Sequence, residues 1–515
     1  MDEKARAQTF FAATLITPIA AWLLTAKLIY GITPETVRED LSHLLGNTFN
    51  LWPLWCALLI GAFAGMTLAL LIIKFNKQVF AGAHFQRFYR GTKLTDPAAL
   101  SKKTKEPGKT QITIAGIPVP TKAENHHFSV AGATGTGKST LLKEMMFGIL
   151  RRGDRMVITD PDGDFLKAFY RPGIDKILNP FDSRSEGWSF FNEIRETHDF
   201  EAYAKSIIQS SSSKEAEEWN EYGRLLFQEV ARKVFNTARK PTIRDVFAWT
   251  NQKSPEELEE FVKGTTAQAL FTGNERATSS VRFVLSKQLA PHLKMTQGNF
   301  SIRDWLEDPE GGNLFITWDE TSRVALRPII SCWVDTVFTS FLGLSTDVDR
   351  RLWTFLDELE SLDCLPTLGA GLTKGRKKGL SVVTGYQSYA QVIRIYGDEM
   401  AETLLGQHRT TVALAVGRMG EKTADRLSKA LGEHEVMRQR GGTSRRWGAA
   451  GTKSQSDEIK MERVVSSSEI MALPDLEGYV AFPGDLPIAK FKTQPVNYRR
   501  ADDIPGILKT REVLG

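Results

Sequence analysis

Phe128-Ser-Val-Ala-Gly-Ala-Thr-Gly-Thr-Gly-Lys-Ser-Thr140 runs from an apolar stretch through a glycine-rich turn to a Lys-Ser pair. The pattern G-x-x-x-x-G-K-S falls on Gly132, Ala133, Thr134, Gly135, Thr136, Gly137, Lys138 and Ser139, with Thr140 following. HHFSVAG before it reads as a strand, and STLLKEMMFGILRR after it has helical spacing. A chance glycine-rich turn does not require a strand on one side and a helix on the other; a phosphate-binding loop does. Its glycines let backbone N–H groups turn inward around phosphate oxygens, and the helix start adds partial positive charge. Lys138 is expected to reach the β- and γ-phosphates, and Ser139 to ligate Mg2+.

Such a loop needs an acidic partner at the end of another apolar strand. RLWTFLDE at residues 351–358 supplies Asp357, expected to hold the magnesium, and Glu358, expected to orient and polarise the attacking water. An acidic strand end that merely caps a following helix is the bland alternative, and the paired loop argues against it. LSVVTGYQ at residues 380–387 ends on Gln387, which reads either as a γ-phosphate sensor or as an ordinary loop amide. KGRKKG at residues 374–379 carries Lys374, Arg376, Lys377 and Lys378. A solvated basic loop accounts for these four; Arg376 as an arginine finger at a subunit boundary is the sharper alternative.

Further strands are read at residues 156–160, 176–178, 313–318 and 410–416, several separated by helical stretches. That alternation predicts a mostly parallel sheet with helices on both faces and nucleotide at the strands' carboxyl ends. From about residue 183 to 304 strand signals stop. Residues 214–238 read as an amphipathic helix with Leu225, Phe227, Val230, Val234 and Phe235 among its apolar positions, and Ser254-Pro-Glu-Glu as another helix start. Residues 438–456, rich in Gly, Ser, Thr and Arg, are expected to form an exposed loop. Arg438, Arg440, Arg445, Arg446 and Trp447 there fit either solvent or single-stranded nucleic acid.

The 42% apolar, 25% charged composition excludes a disordered or fibrous chain, and a mean hydropathy of −0.24 excludes one made mostly of membrane spans. Three scattered cysteines offer no disulfide framework. The average nevertheless hides FFAATLITPIAAWLLTAKLIY at 10–30 and LWPLWCALLIGAFAGMTLALLII at 51–73, each at least the ~20 residues a membrane-spanning helix needs. Trp22, Tyr30, Trp52 and Trp55 suit interfacial belts, and Lys27 can snorkel. A cleaved signal peptide is disfavoured by the length of the first stretch and by the second span. Lys4 and Arg6 precede the first span, and Lys74, Lys77, Arg87, Arg90 and Lys93 follow the second, so both ends are expected on the cytoplasmic side. Residues 74–105 read as a basic linker in which eight Lys and Arg face one acid, Asp96. Anionic lipid is the favoured partner of that run over DNA phosphate, because it directly follows the span.

The membrane hairpin, the phosphate loop, LDELESL at 356–362 and GRKKGLSVVTGYQS at 375–388 together resemble the type IV secretion coupling proteins of conjugative plasmids, with DPDGD at 160–164 and LNPFD at 178–182 in support. The resemblance spans nearly the whole chain. It implies an α/β fold: a RecA-like P-loop ATPase domain (76–182 and 305–515), an all-alpha insertion (183–304) and a two-helix transmembrane anchor (1–75) in a bacterial inner membrane. It also implies ATP as nucleotide, a homo-hexamer, and an ATP-driven link between the relaxase-bearing relaxosome, single-stranded DNA and the secretion channel. The chain stops soon after the ATPase core, so recruitment through a long acidic tail is not expected. Two other readings use the same residues: an FtsK-type double-stranded DNA translocase, and a membrane receptor whose nucleotide only sets its assembly state.

Overall fold

The computed structural model describes residues 3–31, 42, 44–75, 87–211, 213–271, 275–347, 349–444, 452–498 and 504–509. Two compact units emerge, Met1–Arg90 with Glu435–Glu462, and Gly91–His434 with Arg463–Gly515. The larger is organised by one sheet of ten strands: β1 (Leu94–Thr95), β2 (Phe128–Ala131), β3 (Arg155–Pro161), β4 (Lys176–Leu178), β5 (Leu314–Trp318), β6 (Leu352–Leu356), β7 (Leu380–Tyr386), β8 (Thr410–Leu414), β9 (Glu477–Ala481) and β10 (Ile488–Lys492). Their order across the sheet is β1-β10-β9-β8-β2-β7-β6-β3-β5-β4. From β8 to β4 every pairing is parallel. β9 runs antiparallel to both β8 and β10, and β1 parallel to β10.

Burial on both faces explains why the central strands read as unbroken apolar runs. Side chains alternate between two separate cores. Val157, Leu352, Leu356, Leu314 and Ile316 enter one; Met156, Ile158, Trp353, Phe355 and Phe315 enter the other. Each fully buried Leu or Phe contributes about 1.5–3 kcal/mol. Parallelism also brings the carboxyl ends of β2, β3, β5, β6, β7 and β8 to one edge, where the sequence motifs lie. At β7 the packing leaves no room for a side chain at Gly385, because a Cβ there would run into the Asp357 carbonyl.

The edge formed by β9, β10 and β1 lacks a clear sequence signal, because these strands are short and charged residues alternate with apolar ones in β10 (IAKFK). Part of the expected basic linker is accordingly folded: β1 joins the sheet, and Pro97–Thr104 is a helix whose N-cap Asp96 accepts from Ala99 N at 2.9 Å. Residues 76–86 of that run lie outside the described residues.

Between residues 183 and 304 the elements are helical, apart from isolated bridges. Ser213 caps the helix Lys214–Thr237, and Ser254 with Glu257 closes a capping box on Pro255–Val262. The buried stripe of the long helix is Leu226, Phe227, Val230, Ala231 and Val234, at 3–4-residue spacing. Leu225, only partly buried against the same core, and Phe235, 39% exposed but packed on Phe191 and Phe200, lie at the rim of this stripe. These helices share a core with the sheet face that carries Val157, Ile316 and Leu352.

Arg323–Gly343 is apolar and long enough to cross a bilayer, yet 78% of its most apolar window is buried against this core. The segment Trp52–Leu70 is only 28% buried. In the smaller unit the helices Glu3–Tyr30 and Trp52–Phe75 cross at Gly61, where a Cβ would meet Pro18 Cα at 2.7 Å, and Thr17 Oγ1 donates to the Gly61 carbonyl at 2.9 Å. Close approach at a small residue is how apolar helices associate without a hydrophobic driving force. Trp22 is buried in this pair and Trp52 is exposed.

The same unit holds residues 87–90, 435–444 and 452–462 of a three-stranded sheet of Arg87–Gly91, Glu433–Ser444 and Thr452–Arg463. Arg90 grips Glu435 with two hydrogen bonds, at 2.8 and 2.7 Å. The expected loop at 438–456 is therefore corrected at both ends: residues up to Ser444 and from Thr452 lie in paired strands. Ladder bonds are made by backbone, so a polar composition does not forbid a two-stranded ribbon. Residues 445–451, with Arg445, Arg446 and Trp447, lie outside the described residues.

Candidate nucleotide site

Residues 132–137 turn from β2 into the helix Lys138–Arg152. Gly132 N donates to Tyr386 O at 3.3 Å and Ala133 N to Ala415 O at 2.9 Å, which ties the loop's entry to β7 and to the end of β8. Thr136 Oγ1 closes the turn on Ala133 O at 2.8 Å. Gly135 and Gly137 have φ of 82° and 106°, in the left-handed region where a side chain is strained. Lys138 is the first residue of the helix and Ser139 the second, so both stand at its positive end.

The loop borders a cleft of about 420 Å³, within the range of small-molecule sites. Ala133, Thr134, Gly135, Gly137, Lys138, Ser139 and Thr140 line one side, and Asp357, Glu358 and Gln387 another. Strand order explains the convergence: β7 lies between β2 and β6, so its terminal Gln387 falls between the phosphate loop and the two carboxylates. Thr134 Oγ1 donates to Gln387 Oε1 at 2.9 Å, and Gln387 Nε2 donates to Glu358 Oε1. Ser361 Oγ holds the other Glu358 oxygen at 2.9 Å. The Gln387 backbone N–H is fixed by Glu360 Oε1 at 2.8 Å. This chain of bonds links the loop to Glu358 through Gln387. The cleft brings together the expected site residues apart from Arg376, which lies elsewhere, and Gly132 and Thr136, which shape the loop without lining the cleft.

Asp357 fits a metal ligand. Its Oδ1 is buried without a hydrogen-bond partner. Burial pushes its carboxyl up to about 6, opposed by the charge of Lys138 and reinforced by Glu358. A buried carboxylate with an unpaired oxygen beside a lysine and a serine hydroxyl suits a hard cation such as Mg2+. Because the raised carboxyl must ionise to ligate, protons compete with the metal as the pH falls through about 6. Affinity for Mg2+·ADP is expected to fall more steeply below that point than affinity for ADP in chelator, because the terminal phosphate protonates in both cases and the metal-binding carboxylate matters only in the first. Calorimetric titrations on both sides of the transition check this.

Asp160 and Leu476 were not expected here. Asp160 is buried, and its two oxygens accept from Phe165 N at 3.1 Å and Leu166 N at 2.7 Å, capping the helix Asp164–Phe169. Those two backbone bonds make Asp160 an anchor for the DPDGD turn, and burial raises its carboxyl to about 7. Leu476, at φ 65°, donates its N–H to Thr136 O at 3.0 Å and lies where a Gly137 Cβ would go, 2.9 Å from its Cδ2. A leucine in the short proline-containing loop ALPDL (472–476) carries no signal for such a contact. Arg376 is exposed in the turn Gly375–Lys378, at the amino end of β7, whereas the cleft lies beyond its carboxyl end. The strand's seven residues span about 20 Å.

Sheet, loop and carboxylates together define an α/β P-loop nucleotide-binding protein. The chain belongs to the type IV secretion-system coupling protein DNA-binding domain family, whose profile matches residues 111–494. It is 29% identical over 531 residues to coupling protein TraD of Escherichia coli (strain K12), over 96% of this chain and 73% of TraD. It is similar to the solved bacterial conjugative coupling protein TrwBdeltaN70 in its unbound monoclinic form, at 47% identity and a TM-score of 0.78, over 84% of this chain and 98% of that one. It is also similar to plasmid coupling protein TrwB in complex with ADP and Mg2+, at 47% identity and a TM-score of 0.77, over 84% of this chain and 100% of that one.

Proposed function

We propose that this conjugative coupling protein is an inner-membrane ATPase that links the relaxosome to the type IV secretion channel and drives single-stranded DNA into it. The convergence of Lys138, Asp357, Glu358 and Gln387 on one cleft carries the reading. Lys138 would hold the β- and γ-phosphates, with Ser139 and Asp357 ligating Mg2+. Glu358 would orient the attacking water, and Gln387, bonded to both the loop and Glu358, would sense the γ-phosphate. The domains follow the RecA plan at 76–182 and 305–515, with the all-alpha insertion at 183–304 and a membrane anchor at 1–75. Exposed Leu15, Ile16, Ile19, Leu59, Ile60 and Phe63 on the anchor helices support burial in lipid, with both termini in the cytoplasm.

Arg376, remote from its own cleft and exposed, is read as completing the cleft of a neighbour in a homo-hexamer. Mixing subunits tests this with full-length, detergent-extracted protein and DNA. Arg376→Ala and Lys138→Ala are each expected to be inactive alone, and hydrolysis to return in mixed oligomers, where an intact cleft meets an intact arginine. Failure of the mixture to recover rejects action in trans. Wild-type turnover that DNA does not stimulate rejects the pump and leaves a nucleotide-regulated recruiter.

A further inference from the structure

His127, the residue before β2, has φ 60° and ψ 157°, a backbone region essentially reserved for glycine. It is no surface turn: His127 is 1% exposed. Strain of this kind persists only where the surroundings over-determine it. Here they do, because both ring nitrogens are engaged. Val382 N donates to Nδ1 at 3.1 Å, so Nδ1 is the acceptor and Nε2 carries the proton. Nε2–H then donates to Leu372 O at 2.7 Å, in the helix Leu368–Lys374 that leads directly into the Arg376 turn. Burial, with His408 close by, lowers the imidazole to about 3, so the ring stays neutral in this tautomer at cellular pH.

The backbone adds to the grip. Thr410 N donates to His127 O at 3.2 Å, which fixes the start of β8. Asn125 Nδ2 donates to Arg376 O at 3.4 Å. The turn is also packed tightly against β7: a Cβ on Gly375 would lie 2.7 Å from Leu380 Cδ2. One side chain therefore joins the root of the phosphate-loop strand, the first half of β7 and the helix that presents Arg376.

We propose that His127 is a positioning residue for hydrolysis, its ring clamping the segment that presents Arg376 to the root of the phosphate-loop strand. The proposal rests on the reading of Arg376 as a group that acts on a neighbour's nucleotide. Backbone strain is the cost of aiming the ring at Leu372 and Val382 together. Losing the clamp leaves the subunit's own cleft intact and spoils what it offers next door.

The test uses full-length protein in detergent with DNA. His127→Ala is expected to lower kcat roughly 10- to 100-fold, the scale of a small misplacement of a catalytic group, with affinity for Mg2+·ADP unchanged. His127→Gln, with an amide donor and acceptor, should recover part of the loss. Mixing His127→Ala with Lys138→Ala subunits should restore hydrolysis, as in the Arg376→Ala mixture. Hydrogen exchange at the amides of residues 375–379 should quicken in His127→Ala and stay unchanged at 132–140. If the Arg376 mixture recovers and the His127 mixture does not, the proposal is overturned. If neither recovers, the trans reading has failed, and exchange decides the clamp: faster exchange confined to 375–379 supports it, and unchanged exchange overturns it. His127→Gly removes the ring but suits the backbone, and replaces His127→Ala in every arm if the alanine variant does not fold.

Discussion

Glu358→Gln is expected to bind Mg2+·ATP and scarcely turn it over, with kcat lowered roughly 10²- to 10⁴-fold, the usual worth of a positioned general base. The amide preserves the size of the side chain; its oxygen can still accept from Gln387 Nε2, while its NH2 group donates to Ser361 Oγ where the carboxylate accepted. Charge is what it loses, and with charge the ability to draw a proton from water. Asp357, which would hold the metal, keeps its own environment apart from the removal of the neighbouring Glu358 charge, one of the influences raising it. Single-turnover hydrolysis beside equilibrium nucleotide binding checks this. A variant that loses binding and turnover equally would show Glu358 to be part of the nucleotide's seat.

Lys138→Ala has the opposite signature, because binding itself should fail. A charged hydrogen bond to phosphate is worth about 1.5–3 kcal/mol, so affinity for Mg2+·ATP should fall by at least roughly tenfold. Loss of a donor aimed at the transferring phosphoryl costs a further ~10²–10³ in turnover. The loop itself should survive, since its fold depends on Gly132 N, Ala133 N and Thr136 Oγ1 and on no contact of the lysine side chain. An unchanged melting temperature in the absence of nucleotide, beside lost stabilisation by ADP, is the expected thermal result. Full DNA-stimulated activity in this variant would remove the catalytic assignment.

Most of the candidate cleft is legible in the sequence because its residues follow the ends of apolar strands. A buried parallel strand announces itself as an apolar run, and the polar residue that stops it is the one at the ligand edge. Asp357, Glu358 and Gln387 all stand at such strand ends, as does the turn before Lys138. Residues whose role depends on distant partners left no such trace. Leu476 reaches the loop from a segment more than three hundred residues away in sequence, and His127 looks like any histidine beside a strand until its backbone angles and both ring partners are seen. The antiparallel edge escaped for a different reason: strands of two to five residues with charged alternation carry too little periodicity. At 438–444 and 452–456 a polar, glycine-rich composition suggests a loop, but a ribbon held by backbone bonds needs no apolar face.

The common core of the helical segment and the sheet bears on how such proteins diversify. Leu226, Phe227, Val230 and Leu285 belong to the same buried cluster as Val157, Leu314, Ile316 and Leu352. Recombination that exchanged residues 183–304 between two relatives would have to import a matching sheet face, or leave large apolar side chains over a foreign surface. Change in this segment is therefore expected on the outer, polar faces of the helices, while the inner faces and the strands beneath them can change only together.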